Sequence, residues 1–284
     1  MLIYKLYIFF VLILFTIISI SVDISAQVKF VNAVSMTIDG KGNVYVLDNE
    51  TNEIVKLSGD LSFQKKIGKK GWLNGEFDTP TFIDGSSGLD IYLCDGKNFR
   101  IQRFDLNLSY VSSLYTNTET FDNNLKFNRP ISSVILNSAD LYVIDGDNSR
   151  IVKFINGSAP ILSFAGFQEV EGSLSKPGKI LKDSYNSIYV QDKGRNSVMK
   201  YDNFGNFVKS IKYDSLLSFS IYKDNLFLLN SEMEIIVYDI KKQAYIGKIE
   251  IMLNNNPEEV RDFLVFDTEK FLILEKSKIN FYKF

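Results

Sequence analysis

The chain has no histidine and one cysteine, and among its 284 residues only five prolines and one tryptophan. Without histidine there is no Ser-His-Asp triad, no imidazole general base and no His-ligated metal. Cys94 alone permits neither an intrachain disulfide nor a cysteine-ligated zinc. An excess of charge is missing too. Lys plus Arg is 32 against 34 Asp plus Glu, a net charge of −2. The basic residues are scattered among acids, so no stripe exists to grip phosphates, and nucleic acid is excluded as a partner. No Gly-x-Ser-x-Gly elbow and no Walker loop occurs. Gly68, Gly71 and Gly75 make no phosphate cradle, since neither Lys-Ser/Thr nor a helical pattern follows them. What is abundant is apolar and aromatic: 45% and 14% of residues. That is the composition of a globular chain.

Residues 1–26 have the layout of a secretory signal peptide. Lys5 opens a short basic region, a nearly unbroken apolar run spans Leu6 to Ile20, and Ser25-Ala26 offers small residues before a cut ahead of Gln27. The rival is an uncleaved anchor, because Leu6 to Val22 is almost long enough to cross a bilayer. Either way the chain is expected outside the cytoplasm, secreted, periplasmic or at the cell surface, with membrane contact only if the leader stays.

From residue 27 to 284 one phrase recurs: an aromatic or leucine, two mostly aliphatic residues, an acid or amide, a polar turn, then a second apolar run. It appears as Tyr45-Val-Leu-Asp48, Tyr92-Leu-Cys-Asp95, Tyr142-Val-Ile-Asp145 and Tyr189-Val-Gln-Asp192. Weaker copies are Phe227-Leu-Leu-Asn230 and Leu272-Ile-Leu-Glu275. A period of roughly 40–50 residues is that of a four-stranded propeller blade. Each copy divides into short runs rich in Val, Ile, Tyr and Phe, such as 35–38, 44–47, 53–57 and 63–67 in the first. The second run is apolar on both faces, as a strand sandwiched between neighbouring blades requires. All five prolines are expected between strands. The predicted fold is therefore all-β: a six-bladed propeller of four-stranded antiparallel blades, in one domain, read as a monomer. The sixth copy shows only three strand-like runs, and Val28–Val31 belongs to no copy. That segment is expected to pair as the outermost strand of the last blade and close the ring.

A second phrase stands between copies. It reads Gly68-Lys-Lys-Gly71-Trp-Leu-Asn-Gly75-Glu-Phe77-Asp-Thr-Pro80, returns as Leu125-Lys-Phe127-Asn-Arg-Pro130, and fades to Gly172-Ser-Leu174-Ser-Lys-Pro177. The turns after the acidic residue read Asp95-Gly-Lys-Asn98-Phe-Arg100 and Asp145-Gly-Asp-Asn148-Ser-Arg150. Together these resemble the NHL-repeat family of six-bladed propellers, in particular its secreted bacterial relatives. The resemblance implies a ring fold with mixed uses: protein- and RNA-binding modules, and related lyases and lactonases that depend on metal. Lactonase-type chemistry would need a calcium ion on the axis, held by converging oxygens. Asp147 starts no complete calcium loop, so no cofactor is assigned and calcium is kept only with the enzyme alternative.

The function expected is binding or scaffolding of a protein, peptide or glycan. The alternative is a hydrolase or lactonase with a divalent metal in the central channel. The binding face expected is the one carrying the long connections, roughly 68–80, 116–130, 166–177 and 252–260. Its nominated residues are Trp72, Phe99, Arg100 and Arg150, the arginines pairing with a carboxylate of a neighbouring turn in the alternative structural reading. Phe77 and Phe127 are read as packing pegs, and Cys94 as an inert core residue.

Overall fold

The computed structural model describes residues 28–116, 122–136, 139–169, 171–251 and 257–284. The leader at 1–26 lies outside them. Among the described residues no helix is long and apolar enough to cross a membrane.

The recurrent phrase is a strand covered on both faces. In the first copy, Ala33–Ile38, Val44–Asp48, Glu53–Leu57 and Phe63–Ile67 pair in sequence order as an antiparallel sheet. All five residues of Val44–Asp48 are buried, whereas Phe63–Ile67 is mostly exposed. Burial thus fades outward from the axis, as it must in a blade whose rim meets water. Six antiparallel sheets succeed one another at 33–67, 80–115, 130–164, 177–212, 216–250 and 260–283, here called blades 1 to 6; the first five have four strands and the last has three among the described residues. Among the described residues helix is confined to three 3₁₀ turns, Gly96–Asn98, Asn123–Leu125 and Pro257–Glu259.

Six apolar clusters fill the six spaces between neighbouring blades. Tyr45, Leu47 and Ile54 of blade 1 meet Ile83, Ile91 and Leu93 of blade 2. The sixth cluster joins Met36, Val44 and Val46 back to Leu272, Leu274 and Ile279, so the ring is closed. Each fully buried aliphatic side chain contributes about 1.5–3 kcal/mol, and the blades share these residues pairwise.

Two sequence expectations need correction. Val28–Val31 does not form the fourth strand of the last blade, which has three strands among the described residues. The segment does join that blade, but at its second turn. The Phe30 amide donates to Ser277 O at 3.0 Å and the Ala33 amide to Lys276 O at 2.9 Å. The Asp48 carboxylate takes the Val31 and Asn32 amides at 2.6 and 3.1 Å. These bonds draw the chain over blade 1 and away from the rim. The prolines, too, are not all between strands. Pro80, Pro130 and Pro177 open the innermost strands and Pro160 lies in an outer one at a register shift. First residues and irregular edges are the places where a missing N–H costs no ladder bond.

The first and second strands of every blade share a register shift at one end of the pair. A bulge re-aims a side chain. One residue from each blade, Val34, Thr81, Ile131, Gly178, Leu217 and Arg261, lines the cavity at the mouth of the axial channel.

Candidate binding face

The ring has one face of short turns and one of long connections. On the first, aspartates close tight turns by accepting amides two and four residues on. Asp39 takes Lys41 and Asn43 at 2.8 and 2.9 Å, Asp105 takes Asn107 and Ser109 at 2.8 Å each, and Asp202 takes Phe204 and Asn206 at 2.9 and 2.8 Å. Tyrosines of the phrase reach this face from the preceding blade. The Tyr45 hydroxyl donates to Leu106 O at 2.7 Å and Tyr142 to Asn203 O at 2.8 Å.

The opposite face carries the described parts of the connections between blades, 68–79, 122–129, 165–169, 171–176 and 257–259, within or close to the ranges expected. Only 213–215 is short. The acidic residue of the phrase pins these connections, a role the sequence reading missed. Asp95 accepts the Asp78 amide at 2.8 Å, Asp145 the Asn128 amide at 3.2 Å, and Asp192 the Ser175 and Lys176 amides at 2.9 and 3.0 Å. The signal was present: each acid lies a constant distance after the end of the connection it holds.

Arg100 is a nail driven through this arrangement. Its Nε donates to Asp95 at 2.8 Å, Nη2 to Leu73 O and Glu76 O at 3.0 and 2.9 Å, and Nη1 to the Tyr115 hydroxyl at 2.7 Å. With its side chain 1% exposed and its donors engaged, Arg100 holds the 68–79 connection and offers nothing to a ligand. Its carboxylate partner belongs to its own turn, not to a neighbouring one. Arg150 repeats the pattern more loosely, with Nε on Asp145 at 3.3 Å and Nη2 on Asn123 O and Lys126 O at 3.2 and 2.7 Å.

The segments that carry Trp72 and Phe99 are tied to each other. The Asn98 side-chain amide donates to Gly71 O at 2.8 Å, and each aromatic follows one member of that bonded pair. Trp72 is 66% exposed and Phe99 43%. Phe99 has a left-handed backbone, φ 53°, at the end of its 3₁₀ turn. The Glu76 carboxylate takes the Trp72 and Leu73 amides at 3.1 Å each. A hydrogen bond from Lys69, with those amides, holds the Glu76 carboxyl below its ordinary range. Leu73 and Phe167, both exposed on these connections, were not nominated from sequence. Phe77 and Phe127 are fully buried beneath the face.

The channel mouth holds a cavity of about 240 Å³. Across it the Lys179 ammonium donates to Asp262 at 2.7 Å and to Phe263 O at 3.1 Å. Ser218 Oγ and the Met36 and Phe263 amides donate to the same carboxylate at 3.1, 3.0 and 2.8 Å. Asp262 therefore ties four blades together and is occupied in doing so. Among the described residues no three Asp, Glu or Cys side chains converge on one point. Cys94 is buried, its Sγ 3.5 Å from Ser133 Oγ, and burial pushes its thiol up to about 12. That is a packing residue, not a nucleophile.

A larger groove of about 540 Å³ is lined by residues of 123–128 and 163–169, Phe167 among them, and by Arg150.

No protein-family profile and no curated protein matches the chain. Solved structures do. A streptogramin B lyase is 11% identical with a TM-score of 0.58, covering 92% of this chain and 97% of that one. A virginiamycin B lyase from Staphylococcus aureus is 13% identical with a TM-score of 0.62, covering 89% and 85%. A protein of unknown function from Bacteroides thetaiotaomicron is 14% identical with a TM-score of 0.64, covering 90% and 71%. At these identities the likeness is one of fold: this chain is a six-bladed β-propeller with propeller structural neighbours.

Proposed function

We propose that the protein is a non-catalytic binding or scaffold propeller, exported from the cytoplasm, that seats a protein, peptide or glycan on the face of long connections. The observation that carries this reading is the group Trp72, Leu73 and Phe99: three exposed apolar side chains on neighbouring segments whose backbone is held by the Glu76 carboxylate and the Asn98 amide. Exposed aromatics on a rigid support bind with little ordering cost. The turn that carries Phe99 resembles the NHL-type pattern of Asp, Asn and Arg. A nidogen/laminin complex, 16% identical with a TM-score of 0.57, is among the structural neighbours and supports a protein-binding use of this fold. The channel's carboxylate is committed to Lys179, which weighs against routing a reaction through it.

The test is cross-linked capture from the exporting compartment, comparing the native protein with Trp72→Ala. Capture of a defined partner should fall at least tenfold while the melting temperature stays put, since Trp72 is exposed. Equal capture by the variant would remove Trp72 and its patch from the site.

A further inference from the structure

Blades 2 and 3 carry the same arginine nail and differ in what lies across from it. In blade 2, Arg100 stands in register with Tyr115, whose hydroxyl covers Nη1. In blade 3 the fourth strand stops at Phe164, which pairs with Ile151, and Ala165 turns left-handed with φ 62°. Among the described residues no tyrosine bonds the guanidinium. Arg150 spends Nε and Nη2 on the protein, and Nη1 donates to none of the described residues. The space left is the groove of about 540 Å³, a size that suits a small ligand.

The chemistry of its walls narrows the ligand. The side-chain amides of Asn124, Asn128 and Gln168 line the groove and bond to none of the described residues. An amide offers a donor and an acceptor in one plane, which matches a pair of adjacent hydroxyls. Phe167, 82% exposed, is the aromatic side chain most open to solvent in the lining. The charges cancel: Arg150 against Asp145, and Lys126 against Glu169 across the groove. A phosphate-bearing ligand would ask for excess positive charge, and a peptide for several apolar side-chain pockets. Neither is provided.

We infer that this groove binds one neutral pyranose unit of a glycan, with the ring stacked on Phe167, its hydroxyls on the free amides and one oxygen on Arg150 Nη1. The assignment rests on the reading of this face as the binding face.

Calorimetry and saturation-transfer NMR on the purified protein test it, using glucose, galactose and N-acetylglucosamine, with inorganic phosphate and a capped peptide as comparators. At least one sugar should bind saturably at millimolar concentration or below. Phe167→Ala should weaken it about tenfold or more, and Gly166→Trp should abolish it by filling the groove. Gly166 is suited to that change, because a Cβ there meets only Arg150 Cβ at 3.8 Å and its φ is not left-handed. Both variants should melt with the native protein, and Phe204→Ala, an exposed phenylalanine on the face of short turns, should bind the sugar unchanged. Binding of no sugar, binding that survives Gly166→Trp, or occupation by phosphate or peptide instead would overturn the assignment. The two readings fail separately. Partner capture lost in Trp72→Ala with no sugar bound sinks the groove alone, whereas sugar bound with capture indifferent to Trp72→Ala sinks the patch alone.

Discussion

A guanidinium fixed at three nitrogens does what no other side chain can. Arg100 satisfies a buried carboxylate, two carbonyls and a phenol at once, and those groups come from three segments of chain. Lysine would supply one point charge and could not span them. Arg100→Ala should therefore cost about 3–5 kcal/mol in urea unfolding, because Asp95 is left charged, buried and without its cation. Arg150→Ala should cost less, about 1–3 kcal/mol, since that side chain is 16% exposed and water can replace part of what is lost. Equal costs would show that the two nails are equivalent and that the groove beside Arg150 does not admit solvent. The same residue scale marks the limit of reading a string. Arg100 and Arg150 share one motif and differ in what lies across the sheet: Tyr115 covers the first, whereas the strand beside the second stops at Phe164.

At the scale of the turn and the strand, the sequence was legible where local chemistry decides. The runs expected at 44–47, 53–57 and 63–67 are the observed Val44–Asp48, Glu53–Leu57 and Phe63–Ile67 nearly to the residue. Alternation, double-sided burial and Asn or Asp turns are set by neighbours along the chain. The pins at Asp95 and Asp145 were not legible in the same way, because their partners lie on another connection. The aspartate turns of the opposite face carry a pH prediction. Burial alone would raise the Asp39 carboxyl, but hydrogen bonds from the Asn43 side chain and amide outweigh it and hold the group below its ordinary value. Asp202 is held down likewise, against burial, by Asn206, and Asp105 chiefly by the Ser109 amide. A depressed carboxyl lends stability that is complete above the unfolded value near pH ~4 and is lost as pH falls through the folded value. Thermal melts should thus be flat with respect to these groups from neutrality to about pH 5 and decline below about pH 4. Replacing Asp39, Asp105 and Asp202 together by Asn should flatten that decline; an unchanged acid limb would mean other groups set it.

At the scale of the ring, the question is how a closed circle holds where it was joined last. Five spaces are bridged by a continuous chain passing from blade to blade, and the sixth is not. There the apolar cluster must act without a connection, and Phe30 is what the segment before blade 1 adds to it. The Phe30 ring is buried against the cluster that joins Met36 and Val46 to Leu272 and Ile279, and its amide is held by Ser277 O at 3.0 Å. The expected fourth strand was the right kind of answer in the wrong currency: side-chain packing and a few turn bonds seal the seam, in place of a ladder. Removing that ring leaves a cavity in the one space where the neighbours are free to part. Phe30→Ala should cost about 3–5 kcal/mol if the seam stays closed around the hole, the usual range for a buried phenylalanine. It should also raise amide exchange selectively in Ala33–Ile38 and in Lys270–Glu275, the strands that flank the seam, while blades 3 and 4 keep their protection. Phe154→Ala, made in the space between blades 2 and 3, is the control, since a connection spans that space. It should destabilise to a similar degree without local opening. Uniform exchange in both variants would show that the ring unfolds as one unit and that its seam is no weaker than its other joints.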